Sequence, residues 1–516
     1  MNHDKGSART TRRRRRRARL AVDLRAALGL TGTLVKYLSA SAVAPAGVAL
    51  IYSEPPWPFL AAGAIALIVG LMLERVGRDA TTVGFREGYL VVSLTWLLAA
   101  LFGALPYLFA DSPQFDNPVN ALFESMSGFT TTGSSILTNV EAVDHSLLFW
   151  RQFTQWLGGM GIIVLALAVL PRLRVGGRQL MDAEMPGPEV NPLADRIRAT
   201  ARRLWLLYVA LTALLATVLT LFGVVGIDRR MGLFEAVSTA LATLSTGGFM
   251  PDSTSLAGFA ATSQWVVAVF MIIAGINFAL VYRVLVRRRI RSAIGDQELR
   301  LYLGILAITA IALVTELWVE GLAGGEAAIR HGVFQVVSIT TTTGFASTDF
   351  ANWTTFALML LIALMFVGGS AGSTGSSVKV VRHLLLGRSL RRELRQTLHP
   401  EEVLPVRLNG LVVEERTLRA VTAFILLYVG FFVVGAGVIA ADSAIFGPDL
   451  SPFDAIAAAA TALGNVGPGT GVAGPMGSFA SYSDVSTLTM TGLMWLGRLE
   501  IIPVVVLLTR NYWRVR

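Results

Sequence analysis

Four short segments of this 516-residue chain share one pattern, a glycine preceded by small residues carrying hydroxyl or amide groups. They are Thr130 to Ser134, Leu244 to Phe249, Thr341 to Phe345 and Gly464 to Gly469. Their aligned glycines, Gly133, Gly248, Gly344 and Gly467, recur at intervals of roughly a hundred residues, the mark of an internal repeat. Glycine reaches backbone angles closed to other residues, and irregular backbone exposes carbonyl oxygens that can replace the water shell of a cation. Any single Thr-Thr-Gly is commonly an ordinary turn. Four at matching positions call for a shared role, so the candidate ligands are Thr131, Thr132, Gly133, Ser245, Thr246, Gly247, Gly248, Thr342, Thr343, Gly344, Asn465, Val466 and Gly467.

Two further features bear on chemistry. Gly368, Gly369, Gly372 and Gly375 interrupt an apolar run among serines and end at Lys379, a composition that weakens a helix. Close helix packing through small residues is the competing reading. Arg498 lies inside the last apolar run, where a charge costs at least about 2.5 kcal/mol unless it faces a cavity or a partner such as Glu500. Lys379 reads equally well as an interfacial anchor.

Enzyme-like patterns are weaker. Gly469 to Gly474 fits the dinucleotide fingerprint but follows no strand, and Gly368 to Gly372 fits a nucleophile elbow, with Glu393 and His399 later in triad order but no strand and helix alternation around them. Cysteine is absent, which removes disulfides and thiolate chemistry, and none of the five histidines forms a metal-ligand pair at helical spacing.

The elements that position these residues are apolar spans. Hydrophobic residues make up 53% of the chain and charged ones 15%, too few charges to cover several soluble domains. Ten runs approach the length needed to cross a bilayer. They are 34–52, 58–73, 89–110, 147–170, 204–227, 265–286, 301–319, 356–381, 418–441 and 487–508. The last eight form four pairs, each enclosing one glycine segment preceded by a run too short to cross: 121–129, 233–244, 331–339 and 453–463. The expected fold is an all-α polytopic membrane protein with ten transmembrane helices, the last eight forming four repeats of span, pore helix, filter and span about a pseudo-fourfold pore. Its parts are a basic tail (1–30), two extra spans (31–76), and repeats at 88–171, 202–287, 299–382 and 417–510. A basic loop (383–416) and a short tail (511–516) complete it.

The formal net charge of +10 and the arginine run Arg12 to Arg17 suggest nucleic acid, yet a basic stretch before a first span is better explained by topology and anionic lipid. Arginines concentrate in alternate loops, which places both termini in the cytoplasm, while the opposite loops carry Glu54, Glu141, Asp252, Glu326, Asp349 and other acids that concentrate cations.

The quoted segments resemble the four selectivity-filter segments of the Trk/Ktr/HKT superfamily of cation transporters, and the two extra leading spans resemble its bacterial TrkH branch. The resemblance covers nearly the whole chain. It implies a potassium-conducting pore in the bacterial plasma membrane, with filter glycines at Gly133, Gly248, Gly344 and Gly467. All four being glycine favours potassium, because some relatives that place serine in the first filter are sodium-selective. It implies that 368–379 is an intramembrane gating loop and that Arg498, in a Gly-Arg-Leu-Glu motif, hinders permeation until that loop moves. It also implies a homodimer, no cofactor in this chain, and a cytoplasmic TrkA-like ring binding NAD or ATP that docks on loops such as 172–203 and 382–395. Ser134 and Pro468 depart from the Gly-Phe pair of the other two repeats, so fourfold symmetry of the filter is not assumed. Alternatives are a sodium-permeable or sodium- or proton-coupled transporter and, from another class, a membrane esterase.

Overall fold

The computed structural model describes residues 22–77, 84–173, 192–446 and 450–514. The arginine run 12–17 and most of the loop 172–203 lie outside the described residues. Most of what is described is helical, and the strands are a single hairpin of two-residue strands, β1 (Arg407–Leu408) and β2 (Leu411–Val412), among the described residues.

Six stretches among the described residues are long and apolar enough to cross a membrane, or eight if each of two bent pairs is one span. The first runs from α1 (Leu24–Ser39) through a 3-10 turn to α2 (Val43–Ile51). Pro45, which lacks an N–H and crowds the preceding turn, accounts for the irregularity. It packs on α3 (Trp57–Val76), where Lys36 Nζ lies 2.7 Å from Glu74 Oε2, so the carboxylate has a charge partner within the pair.

From α4 onward, short helices alternate with longer ones. After α4 (Phe85–Phe109), α5 (Pro118–Phe129) enters with Asn117 as its cap, and α6 (His145–Leu173) leaves. Next are α7 (Pro192–Val225), α8 (Leu233–Ser245), α9 (Ala261–Ala274), α10 (Phe278–Leu285) and the short α11 (Ile290–Ile294). Then come α12 (Gln297–Val319), α13 (Gly325–Thr340), α14 (Thr355–Met365) and α15 (Val380–Leu398). Last are α16 (Glu415–Phe446), α17 (Pro452–Gly464), α18 (Asp484–Arg498), α19 (Ile502–Leu508) and α20 (Arg510–Trp513). Ser451 and Asp454 cap α17 reciprocally, which fixes where it starts.

Two runs expected to be continuous spans are bent instead. Between α9 and α10 the chain turns by 109°, because Asn277 recaps the helix by accepting from the Ala279 N–H. Between α18 and α19 it turns by 113°. There Pro503 cannot donate to the carbonyl one turn back, and Glu500 and Ile501 take positive φ of 57° and 58°. The C-terminal ends of α5, α8, α13 and α17 are fully buried, and α17 does this with a run of alanines, Ala457 to Ala460, that lets backbones approach closely.

Candidate functional site

The four glycine segments leave their short helices in one conformation. Thr131, Thr246, Thr342 and Asn465 have left-handed φ of 53°, 52°, 61° and 53°, and two residues on Gly133, Gly248, Gly344 and Gly467 have φ of 85°, 87°, 82° and 121°. A left-handed threonine is unfavourable, of order 1–3 kcal/mol, and persists only where its surroundings over-determine it. Here the determinant is hydrogen bonding at the helix end. The N–H groups of Thr132, Gly247, Thr343 and Val466 each reach back five residues, to the carbonyls of Ser127, Ala242, Ser338 and Thr461, at 2.8, 2.8, 2.8 and 3.0 Å. The preceding N–H of each segment bonds three residues back, to Gly128, Thr243, Ile339 and Ala462. This is the bonding of a Schellman-type helix end, repeated four times. It occupies the segment donors with the helices' own carbonyls and turns the segment acceptors elsewhere.

Those acceptors meet in a closed cycle. A methyl group built on Gly133 would lie 2.3 Å from the Gly247 carbonyl oxygen, on Gly248 2.1 Å from that of Thr343, on Gly344 2.1 Å from that of Val466, and on Gly467 3.0 Å from that of Thr132. Each glycine is thus pressed against the carbonyl preceding the next glycine, and the fourth returns to the first. A side chain at any of the four would have to displace backbone. A cavity of about 300 Å³ opens beside the cycle, lined by all four glycines with Ser134, Phe249, Pro468 and the loop 473–479. The fourth segment also meets the first through Ser134, whose hydroxyl donates to the Gly467 carbonyl at 2.6 Å, and through Asn465, whose amide donates to Thr132 Oγ1 at 2.9 Å.

The Gly368 to Gly375 stretch lies directly behind the third segment. After α14 ends at Met365, residues 366–379 run without helix yet largely buried, with positive φ at Gly368, Gly372, Ser377 and Lys379. The Ser376 N–H donates to Thr342 Oγ1 at 2.9 Å, and a methyl group at Gly375 would stand 3.0 Å from the Thr341 carbonyl oxygen. The irregular backbone is anchored on the α9 end: Ser370 N–H donates to the Gly275 carbonyl at 2.8 Å and Phe278 N–H to that of Gly372 at 3.1 Å.

Arg498 is 1% exposed and touches this stretch from the other side. Its Nη1 donates to the Thr374 carbonyl (3.1 Å) and Ser376 Oγ (2.7 Å), and its Nη2 to the Gly158 carbonyl on α6 (3.1 Å). The ion pair with Glu500 weighed for it does not form. Glu500 is taken by Lys379 Nζ and Arg382 Nη2, each at 2.5 Å, so Lys379 is a buried partner rather than an interfacial anchor. The hydrolase pattern dissolves: Gly368 to Gly372 follows a helix, and Glu393 and His399 are exposed on and beyond α15.

Sequence reasoning missed a set of polar residues behind the first two segments. Glu124 on α5 and Arg151 on α6, 0% and 2% exposed at their side chains, pair at 2.7 Å. Gln155, one turn after Arg151, donates to the Gly247 carbonyl at 2.6 Å and accepts from the Phe249 N–H at 3.1 Å. The signal was a carboxylate and a guanidinium within apolar helices, the same that marks Arg498. Further out, Glu141 accepts from the N–H and hydroxyl of Ser253 at 2.8 and 2.7 Å. Partial burial raises its pKa, but these donors hold the carboxyl below the ordinary glutamate value.

Membrane-length helices, with four buried segments that bring uncharged carbonyl and hydroxyl oxygens together, fit the class of membrane proteins that transport small cations. The family model for TrkH, described as a cation transport protein, matches residues 58–514, and the chain belongs to that family. It is 37% identical over 498 residues to the Trk system potassium uptake protein TrkH of Escherichia coli K12, covering 96% of this chain and all of that one. It is 33% identical over 492 residues to TrkG of the same organism, covering 94% and 98%. The crystal structure of the potassium transporter TrkH from Vibrio parahaemolyticus superposes with a TM-score of 0.85 at 33% identity, covering 96% of this chain and all of that one. Transporters of this family carry no cofactor.

Proposed function

We propose that this protein takes up potassium across the bacterial plasma membrane through a pore enclosed by ten transmembrane helices, the last eight forming four span, pore helix, filter and span repeats. The observation that carries the reading is the closed cycle in which each of Gly133, Gly248, Gly344 and Gly467 abuts the carbonyl of the next segment. The dehydrated ion sits among the carbonyls and hydroxyls of Thr131, Thr132, Gly133, Ser245, Thr246, Gly247, Gly248, Thr342, Thr343, Gly344, Asn465, Val466 and Gly467, which substitute for its water. Uptake runs inward down the electrochemical gradient, to which the membrane potential contributes about 2.3 kcal/mol per 100 mV for a monovalent ion. The names of the relatives, Trk system potassium uptake proteins, support the choice of ion.

The stretch 368–379 serves as the gate below the filter, with Arg498 as a positive charge that opposes passage while it holds Thr374 and Ser376. Glycines at 368, 369, 372 and 375 give that stretch the freedom to move, and Lys379 ties its end to Glu500. Movement is driven by a cytoplasmic nucleotide-binding ring of the TrkA type, with NAD or ATP domains, docking on the basic residues of α15 and its neighbouring loops. The transporter works as a homodimer with both termini in the cytoplasm.

The test is rescue of a potassium-uptake-deficient bacterium at limiting potassium, with the partner subunit present. The parent restores growth, and Gly344→Ser, which puts a side chain against the Val466 carbonyl, lowers the potassium-to-sodium uptake ratio by roughly tenfold or more. Failure of the parent to rescue, or an unchanged ratio in a folded Gly344→Ser protein, rejects the reading.

A further inference from the structure

The seam between the first and second filter segments is held differently from the others. Glu124 uses both carboxylate oxygens: Oε1 accepts from Arg151 Nε at 2.7 Å and from Ser135 Oγ at 3.0 Å, and Oε2 accepts from the Ile136 N–H at 2.9 Å. Arg151 uses all three nitrogens, since Nη2 donates to Ser135 Oγ at 3.0 Å and Nη1 to the Met250 carbonyl at 3.2 Å. Its guanidinium lies 4.1 Å from the centre of the Phe249 ring. One buried pair therefore grips the chain two and three residues beyond Gly133 and one and two residues beyond Gly248.

The other repeats do without a charge at the aligned position. In the third, Gln335 stands where Glu124 does, accepting from the Ser347 N–H at 2.8 Å and donating to the Phe345 carbonyl at 3.3 Å. The second and fourth have Thr239 and Ala458 there. A neutral amide thus suffices to hold one exit segment. In the first repeat one side-chain pair holds two exit segments at once, and Arg151 supplies the long, forked donor that spans them. A buried ion pair is weak evidence for stability, because the desolvation of both charges offsets their attraction, and its best-attested use is to fix one geometry among several. With no net charge, the pair acts on the ion through the backbone it holds.

We propose that Glu124 and Arg151 are positioning residues that fix the separation of the first and second filter segments and thereby set how well the pore discriminates potassium from sodium. This rests on the transport reading above. Discrimination between two ions of equal charge depends on how the ligand oxygens are held, and a seam free to widen or close accommodates the wrong ion.

The experiment compares parent, Glu124→Gln, Arg151→Lys and Ser135→Ala, purified whole and reconstituted in liposomes, with separate potassium and sodium gradients. Arg151→Lys keeps the charge but loses the fork that spans Ser135 and Met250. Ser135→Ala deletes the hydroxyl shared by both charges and leaves the charges in place. The potassium-to-sodium permeability ratio falls by roughly tenfold in the first two variants, the scale of a lost charge-assisted hydrogen bond. A purely structural role would lower both fluxes together and leave the ratio alone. The parental ratio in monodisperse Glu124→Gln or Arg151→Lys protein overturns the proposal. If neither folds, the ratio of Ser135→Ala decides in the same two directions. A parent that passes no potassium under any condition overturns the transport reading instead.

Discussion

Arg498 is a buried charge whose partners are oxygens of other elements and no carboxylate. It hydrogen-bonds Thr374, Ser376 and Gly158, while Glu500, close in sequence, is engaged by Lys379 and Arg382. Its charge is therefore hydrated by protein dipoles but not neutralised by them. A second positive charge at about 8 Å in surroundings of effective dielectric 20 is repelled by about 2 kcal/mol, enough to slow passage by more than tenfold. Arg498→Ala is expected to raise basal cation flux about tenfold in liposomes, without any partner subunit, and no increase would remove Arg498 from the gate.

Between elements, the decisive contacts are made by glycines on the helices that back the short helices α5 and α17. A methyl group at Gly158 of α6 would lie 1.9 Å from the Phe129 carbonyl oxygen, and at Gly497 of α18 2.0 Å from that of Leu463. Phe129 and Leu463 occupy the same place in their repeats, four residues before Gly133 and Gly467. A helix can approach its neighbour's backbone this closely only where it has no side chain. Gly158→Ala and Gly497→Ala should each destabilise the protein by about 1–3 kcal/mol through overpacking against backbone. Gly437→Ala and Gly492→Ala, also in helices but with nothing within 4 Å of the added carbon, serve as neutral comparisons. Thermal unfolding in detergent, followed by the loss of monodisperse protein, distinguishes the two pairs, and equal midpoints in all four would contradict the packing described.

For the molecule as a whole, the expected topology makes the +10 charge a matter of sidedness. It assigns the arginines of α15 to the cytoplasmic face and Asp252, which lines the cavity beside the glycine cycle, to the opposite one. A green fluorescent protein fused after Arg516 should fluoresce, and alkaline phosphatase fused after Asp252 should be active. The opposite pair of results would invert the orientation and the direction of uptake. The membrane, helical character and the family were legible at this scale, because apolar runs and the glycine segments are local properties of the chain.

Local patterning had its limits. That 265–286 and 487–508 bend by 109° and 113° was not visible in their hydropathy, since a turn capped by Asn277 and a kink upstream of Pro503 leave the apolar count unchanged. Glu124, Arg151 and Gln155 were present in the sequence as isolated polar residues, and nothing in their spacing said that they meet behind the first two glycine segments. By itself the sequence determined a multispan helical protein with four glycine-bearing segments, because span length, helix-weakening composition and repeat spacing are set by residues close along the chain. Only the tertiary structure decided that each glycine abuts the next segment's carbonyl, and that Glu500 belongs to Lys379 and Arg382 rather than to Arg498. The physical reason is that these contacts join residues from different elements, and their distances depend on how the helices pack, which no local pattern encodes.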